Sequence, residues 1–342
     1  MLLALTRRPR GHVLNAGTFF PAISGVHSID RRRCAVVHLL DTRMIWRKLT
    51  QSLLHSASLR SVAHGCIRAL AVGVAFYFIV YLLERASGGT TAQYRSRGFL
   101  QDVAYWFYYR SGLNNLLFMA GLFSFLSAKL TFLPLSFAHN LHPIVRGIIW
   151  LMVDDFGVYW THRLQHKWRF MWAFHATHHA QEQLNFATTA RFHPVDFFFA
   201  NTVRFIPLLV LGASPMGWLP LYLSTDFIAT ALHSRITWRF GLLSRVFVTP
   251  RFHSFHHSTD PCYYDKNFGG LLCIWDQIFG TAADAPEQPT EFGLPHVEMP
   301  TLISTLVQPF RLLRQLYAPA SSGPNQILPA VVSSAADEHP TR

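Results

Sequence analysis

Residues 155–179, DFGVYWTHRLQHKWRFMWAFHATHH, contain an HxxxH box and an HxxHH box, and a second HxxHH box, HSFHH, follows at residues 253–257. Residues three or four apart lie on one face of a helix, so each box can present its imidazoles to one site. Imidazole is a ligand for zinc, copper, iron and nickel. Eight imidazoles are more than one ion holds, and the boxes therefore predict two metal ions. The box histidines are His162, His166, His175, His178, His179, His253, His256 and His257.

A structural zinc site is a poor explanation for this pattern, because such a site usually has four ligands and often includes cysteine. The chain has 4 cysteines, and none of them belongs to a CxxC pair. Ten of the 19 histidines lie between residues 162 and 257. This concentration favours a catalytic metal centre.

An acidic residue precedes the first box on the same predicted helix. Asp155, Tyr159 and His162 are spaced by four and three residues and so share a helix face. A histidine that binds a metal commonly donates its other ring N–H to a carboxylate. Asp155 is therefore a candidate partner of a metal-binding histidine, and an ion pair with Arg146 or Arg163 is the alternative.

The composition indicates a membrane protein. Of the 342 residues, 50% are hydrophobic and only 14% are charged, against roughly a quarter charged in an ordinary soluble domain. The net charge is +12, but the basic residues are scattered between apolar runs, which favours anionic lipid headgroups over nucleic acid as the partner. The predicted fold is an all-α bundle of about four transmembrane helices. The apolar segments are Ala69–Leu83, Leu113–Phe137, Ile144–Trp160 and Asp196–Leu232, and prolines at 207, 215 and 220 predict that the last is a bent hairpin.

The distribution of basic residues predicts the orientation of these spans. Eleven Lys and Arg residues precede Ala69, which places the N-terminus in the cytoplasm. Three full spans before His162 would leave the histidines outside the cell. One segment, most plausibly part of 113–137, is then re-entrant or a hairpin.

The domain prediction divides the chain into four parts. The first part, residues 1–60, is predicted to be poorly structured or to reflect a start codon assigned too early, with Met44 as the working start. An organelle transit peptide is the alternative. The last part, residues 286–342, is predicted to end in a disordered tail at 318–342. The parts are a basic extension at 1–60, a transmembrane region at 61–140, a catalytic domain at 141–285 and a Pro-rich segment with its tail at 286–342.

With these boxes, the chain resembles the fatty acid hydroxylase / sterol desaturase superfamily. Four further motifs similar to those of the superfamily follow in order, and the resemblance covers roughly residues 100–285. A departure is Arg235, where many members carry Asn. The motifs are RFHP at 191–194, LHS at 232–234, TPRFHSFHH at 249–257 and NFGGLLCIWDQIFGT at 267–281.

The resemblance implies a membrane-embedded helical fold, capped on its cytosolic side by a His-rich site with two iron ions. It implies an enzyme that uses O2 to hydroxylate or desaturate a lipid, either a sterol or a fatty acyl or alkyl chain in the bilayer. It adds His193 and His233 to the eight box histidines as expected ligands. Asn267 and Asp276, in the closing motif, are either turn and cap residues or outer partners of the metal ligands.

The electrons for such a reaction must come from another protein, because the sequence has no GxGxxG motif after a strand and no HPGG haem-binding motif. A b-type cytochrome, or a ferredoxin with its reductase, is the expected donor. The sequence does not predict an oligomeric state.

Two other functions fit a His-rich membrane protein. A membrane zinc-dependent hydrolase is one, although the chain has no HExxH motif and no Glu inside a box. A metal transporter is the other, although its histidines would be expected within spans or in flexible loops.

Overall fold

The structure is a computed structural model that describes residues 59–317, except 89, 113, 115–120, 123–124, 127–139, 214, 239, 296 and 298. The predictions for the N-terminal extension, for most of the apolar segment 113–137 and for the tail at 318–342 therefore lie outside the described residues. The chain divides into two units, Met1–Ser56 and Ala57–Arg342, and the described residues belong to the second.

Helices are the regular elements of the described part of the chain, which also contains two isolated β-bridges. Short 3-10 helices at Ala92–Arg95, Phe186–Ala190, Gly241–Arg245 and Pro261–Tyr263 connect them. The α-helices are α1 (Leu59–Ala86), α2 (Arg97–Arg110), α3 (Pro143–Lys167), α4 (Arg169–His179), α5 (Pro194–Val210), α6 (Pro215–Leu232), α7 (Pro250–His256), α8 (Ile274–Ile278) and α9 (Leu302–Leu316).

Helix α1 contains the predicted first span. Its segment Ala63–Ala86 contains an 18-residue window with a mean hydropathy of 2.2, and Phe78 and Ile79 on it are exposed. Within the described residues it is the one helix that is long and apolar enough to cross a membrane. The structure thus confirms an all-helical architecture, while the bundle of about four spans stays a prediction.

Helix α3 begins at Pro143, directly before the apolar segment predicted at Ile144–Trp160, and continues through the first histidine box. The His142 side chain caps its N-terminus, and Pro143 occupies the first turn, where the missing N–H costs no hydrogen bond. Ile144 and Ile148 near this end are exposed. One continuous helix therefore connects an apolar surface to the histidines.

The long apolar segment 196–232 forms two helices, α5 and α6, as its prolines predicted. The chain leaves α5 at Leu211 and turns at Gly212, whose φ of 71° is the left-handed conformation that ends many helices. Pro207 and Pro220 lie inside the helices rather than at the break. Pro215 begins α6 and is the proline that marks the new helix.

A buried arginine holds α2 against the end of α4. The Arg191 guanidinium donates to Asp102 Oδ1 at 2.8 Å, to Gln101 Oε1 at 2.8 Å and to the Thr177 carbonyl at 2.9 Å. Asn185 also donates to Asp102, at 2.8 Å. A charged pair with these extra hydrogen bonds is satisfied in the interior, and it fixes the position of the second histidine box.

Helix α9 covers the other side of α4. Trp172 and Ala176 of α4 pack against Leu312 and Leu316 of α9 in one apolar cluster. This cluster shields the second box from solvent.

Candidate metal centre

Nine of the ten predicted histidine ligands converge in two adjacent groups. Within each group, one ring nitrogen of every member lies within 4.8 Å of the corresponding nitrogens of the others. The five-histidine group is His162, His166, His175, His179 and His256, and the four-histidine group is His178, His233, His253 and His257.

Each HxxHH box supplies ligands to both groups. His175 and His179, four residues apart on α4, point to the five-histidine group, while His178 between them points to the other. Consecutive residues on a helix are rotated by about 100°, so neighbouring histidines face different sites. The groups touch at this point, because the rings of His179 and His257 have centroids only 4.6 Å apart.

The four-histidine group has the spacing that a metal ion requires. The Nε2 atom of His233 lies 3.1 Å from those of His178 and His253, and the Nε2 atoms of His253 and His257 are 3.2 Å apart. An ion held tetrahedrally at about 2.0–2.1 Å from four imidazole nitrogens places neighbouring nitrogens about 3.3 Å apart. Four convergent nitrogens therefore fit one ion.

In the five-histidine group, three imidazole rings are held in orientation by hydrogen bonds to residues outside the group. Each uses Nδ1–H to donate to an oxygen, which leaves its Nε2 buried and without a partner. A fixed Nδ1 with a free, inward Nε2 is the arrangement of a metal-binding histidine. The pairs are His162 with the Phe268 carbonyl at 3.0 Å, His175 with Asp196 Oδ2 at 2.9 Å and His256 with the Lys266 carbonyl at 2.7 Å.

Burial keeps the imidazoles of His256 and His257 neutral. It lowers the pKa of His256 to about 3 and the pKa of His257 to well below its usual value, since a charged ring loses its hydration in the interior. The neutral ring is the form that binds a metal. The residues present therefore fit a centre of two metal ions.

His193 is the predicted ligand that the structure does not place with the others. It is the N-cap of α5, and its Nδ1 accepts a hydrogen bond from the Val195 N–H at 3.2 Å. Its ring packs against Phe174 and Phe310, with centroids 4.9 and 5.7 Å apart. Because Pro194 occupies the first turn of the helix, His193 caps that turn instead of reaching the centre, and we leave it out of the proposed ligands.

Asp155 has neither of the contacts expected for it. Its carboxylate accepts hydrogen bonds from the backbone N–H groups of Leu271 at 2.7 Å and Leu272 at 3.2 Å and from Trp275 Nε1 at 2.8 Å. These contacts involve no histidine and no arginine. Asp155 instead fastens the loop before α8 to α3.

Replacement of Asp155 by Ala is expected to lower the free energy of unfolding by about 2–3 kcal/mol, because two backbone N–H groups lose a charged acceptor. Thermal unfolding of the purified variant measures this loss. The metal content per folded chain should stay at the wild-type value, and a variant of normal stability that lacks metal would contradict this role.

The outer carboxylate that the sequence analysis missed is Asp196. It is fully buried, and it accepts hydrogen bonds from His175 Nδ1 and from Gln165 Nε2. In the sequence it appeared only as the first residue of an apolar segment. An acidic residue at such a position is costly in a membrane and is itself a signal of function.

The closing motif holds the loop whose carbonyl groups orient His162 and His256. Asn267 has a positive φ of 59°, which Asn adopts more readily than most residues, and its side chain donates to the carbonyls of Phe252 and Ala283, both at 2.8 Å. Asp276 accepts hydrogen bonds from the backbone N–H groups of Phe268 and Gly269, both at 2.8 Å. Asn267 and Asp276 are therefore turn and cap residues. Their side chains fix the backbone of the loop, and the carbonyl groups of that loop orient the two histidines.

The described residues form a helical protein in which two adjacent histidine groups could each hold a metal ion. Comparison with known families agrees, because residues 147–281 match the family model of the fatty acid hydroxylases. This match confirms the predicted resemblance to the superfamily.

Several curated proteins are similar to this chain. Ornithine lipid hydroxylase OlsE of Rhizobium tropici is 34% identical over 164 residues, which are 48% of this chain and 50% of that protein. Alkylglycerol monooxygenase of Homo sapiens is 34% identical over 42% of this chain and 31% of that protein. Lathosterol oxidase of Mus musculus is 26% identical over 41% of this chain and 46% of that protein. The chain thus spans half or less of each relative, and no solved structure gives a significant match.

Proposed function

We propose that this protein is a membrane-bound di-iron oxidoreductase that uses O2 to hydroxylate or desaturate a lipid. The observation that carries the proposal is the convergence of nine histidines, eight of them buried, in two adjacent groups. The names of the relatives, which include a lipid hydroxylase, a monooxygenase and a sterol oxidase, support oxidation of a lipid.

The proposed ligands are the nine grouped histidines, five for one ion and four for the other. Iron is a suitable metal for imidazole ligands, and two bound irons supply the O2-dependent attack on an unactivated C–H bond that no side chain can perform. The protein residues hold the rings in place through the outer contacts of Asp196, Lys266 and Phe268. The surrounding residues also exclude water from the centre, and most of these histidines are accordingly buried.

A cavity leads to the centre. Its volume is about 210 Å³, and it lies between α3, α5 and α6 with largely apolar walls. His162, His175 and His233 line one end of it. We propose that the substrate enters this cavity, which would hold a carbon of the lipid beside the metal ions.

The membrane assignment and the electron donor are parts of the same proposal. Helix α1 would cross the bilayer, and the histidine centre would face the cytoplasm. There it could receive electrons from a separate protein, a b-type cytochrome or a ferredoxin with its reductase.

The zinc hydrolase is less well supported, because both groups contain histidine alone. The carboxylates beside them, Asp196 and Asp265, lie 2.9 and 3.5 Å from the outer Nδ1 atoms of His175 and His166. Neither is a free base for activating water.

The purified full-length chain is expected to hold about two irons, since four or five imidazoles saturate each ion. Metal analysis after expression in iron-replete medium measures this number. Reduced protein should consume O2, and mass spectrometry of lipids from cells with and without the protein should show one product that gains an oxygen or loses two hydrogens. One tightly held zinc with no iron would overturn the proposal.

A further inference from the structure

The cavity beside the histidines has a second, polar end. The lining residues at one end are histidines of both groups, and those at the other end are three carboxylates, an arginine and a tyrosine. The residues of the polar end are Asp154, Asp155, Arg204, Tyr222 and Asp226. Nothing in the proposed metal chemistry uses them.

The two ends are about two helical turns apart. Asp226 lies on α6 and precedes by seven residues His233, which directly follows this helix; at 1.5 Å per residue this is a rise of about 10 Å. Asp154 precedes His162 by eight residues on α3, a rise of about 12 Å. Val158 is among the cavity residues between the ends. A chain of several carbon atoms spans this distance.

The charged groups at the polar end have partners within the protein. Arg204 binds Asp154 through two parallel hydrogen bonds of 2.9 and 2.7 Å, which occupy both carboxylate oxygens. Arg110 binds Oδ1 of Asp226 and also contacts Tyr222. Each arginine thus pairs with one aspartate, and the third carboxylate of the lining, Asp155, already accepts three hydrogen bonds, so these paired groups leave no free charge for a charged ligand.

One acceptor at the polar end is left over. The Oδ2 atom of Asp226 is buried and has no hydrogen-bond partner. A buried acceptor without a donor is unfavourable, and a carboxylate can only accept. The missing group is therefore a hydrogen-bond donor.

We propose that the polar end binds an uncharged donor group of the lipid substrate, a hydroxyl or an amide N–H, at Asp226 Oδ2. This site then selects which carbon reaches the metal centre, because the donor and that carbon must lie about 10 Å apart. The inference rests on the proposed function and narrows its substrate class to lipids with such a second polar group. A site that binds a donor discriminates strongly against analogues that lack it, because its acceptor is then unpaired.

The test is a binding measurement on the detergent-solubilised full-length protein, without reductant. Radiolabelled dodecan-1-ol is the donor probe, and 1-methoxydodecane, which can accept but not donate, is its competitor. The alcohol is expected to bind about 10- to 100-fold more tightly, the usual strength of a hydrogen bond to a charged group. Equal affinities for the two probes would overturn the inference.

The variant is the double substitution Arg110→Met and Asp226→Leu, since apolar replacement of a whole buried ion pair is generally tolerated in folding. It should lose the preference for the alcohol while its affinity for the ether stays within about twofold. The matched control is Arg251→Met with Asp284→Leu, which removes an ion pair in which Asp284 is 65% exposed and should keep the preference. A double variant at Arg110 and Asp226 that still prefers the alcohol would sink the inference.

Metal content separates this inference from the proposed function. Two irons per chain without any preference for the alcohol would overturn the polar site alone. A chain that prefers the alcohol but holds no iron would overturn the di-iron proposal and leave the donor site standing.

Discussion

The His178→Ala variant is expected to lose one of two bound irons. Its turnover should fall more than about 100-fold, which exceeds the roughly 10- to 100-fold loss that follows removal of a residue hydrogen-bonded to a metal ligand. His178 belongs to the four-histidine group, and its Nε2 lies 3.1 Å from that of His233. Its removal leaves three histidines in that group, too few for a closed site, while the five-histidine group is intact. Metal analysis of the purified variant and product formation from the lipid substrate measure the two effects.

His193→Ala is the matched control for this substitution. His193 is equally buried but caps α5 outside both groups, so its variant should keep two irons. A His178 variant with two irons and the wild-type rate would remove that histidine from the centre. Loss of one iron from the His193 variant would restore His193 as a ligand.

Asp196→Asn is expected to lower iron affinity or turnover by roughly 10- to 100-fold, the usual effect of losing an outer carboxylate. The carboxylate accepts from both His175 and Gln165, whereas an amide has only one oxygen and cannot satisfy both donors. The ring of His175 then loses its fixed orientation. Iron affinity, measured by competition with a chelator, reports this change, which a role in packing alone would not produce.

Asp284→Asn provides the comparison, because this carboxylate is 65% exposed and pairs only at the surface. It should leave iron affinity unchanged. If Asp196→Asn binds iron as tightly as the wild type and turns over normally, the contact between Asp196 and His175 has no part in the centre.

Local spacing was sufficient to single out the eight box histidines, all of which lie in the two histidine groups. The pairs at i and i+4, such as His175 with His179 and His253 with His257, share a helix face in any helix. His233 joins the four-histidine group, and the sequence resemblance had included it. The break between α5 and α6 was also predictable, because proline and glycine act on the backbone within a few residues.

Contacts between distant residues were not predictable in the same way. Asp155 was assigned to the first box because it shares a helix face with His162, yet its partners are Leu271 and Leu272, more than 100 residues away. His175 receives its carboxylate from Asp196 on another helix. Which acid meets which ring depends on how the helices pack, and helix periodicity contains no such information.

The sequence by itself determined which residue types can bind the metals and which of them share a helix face, since both follow from side-chain chemistry and a rotation of about 100° per residue. Only the tertiary structure decided how the histidines divide into a group of five and a group of four. That division requires α3, α4, α6 and α7 to meet, with carbonyl groups from the loop at 265–269 behind the rings of His162 and His256. The physical reason is that a metal centre is built from nitrogens within a few ångströms of one another, and only packing brings residues so far apart in the chain to that distance.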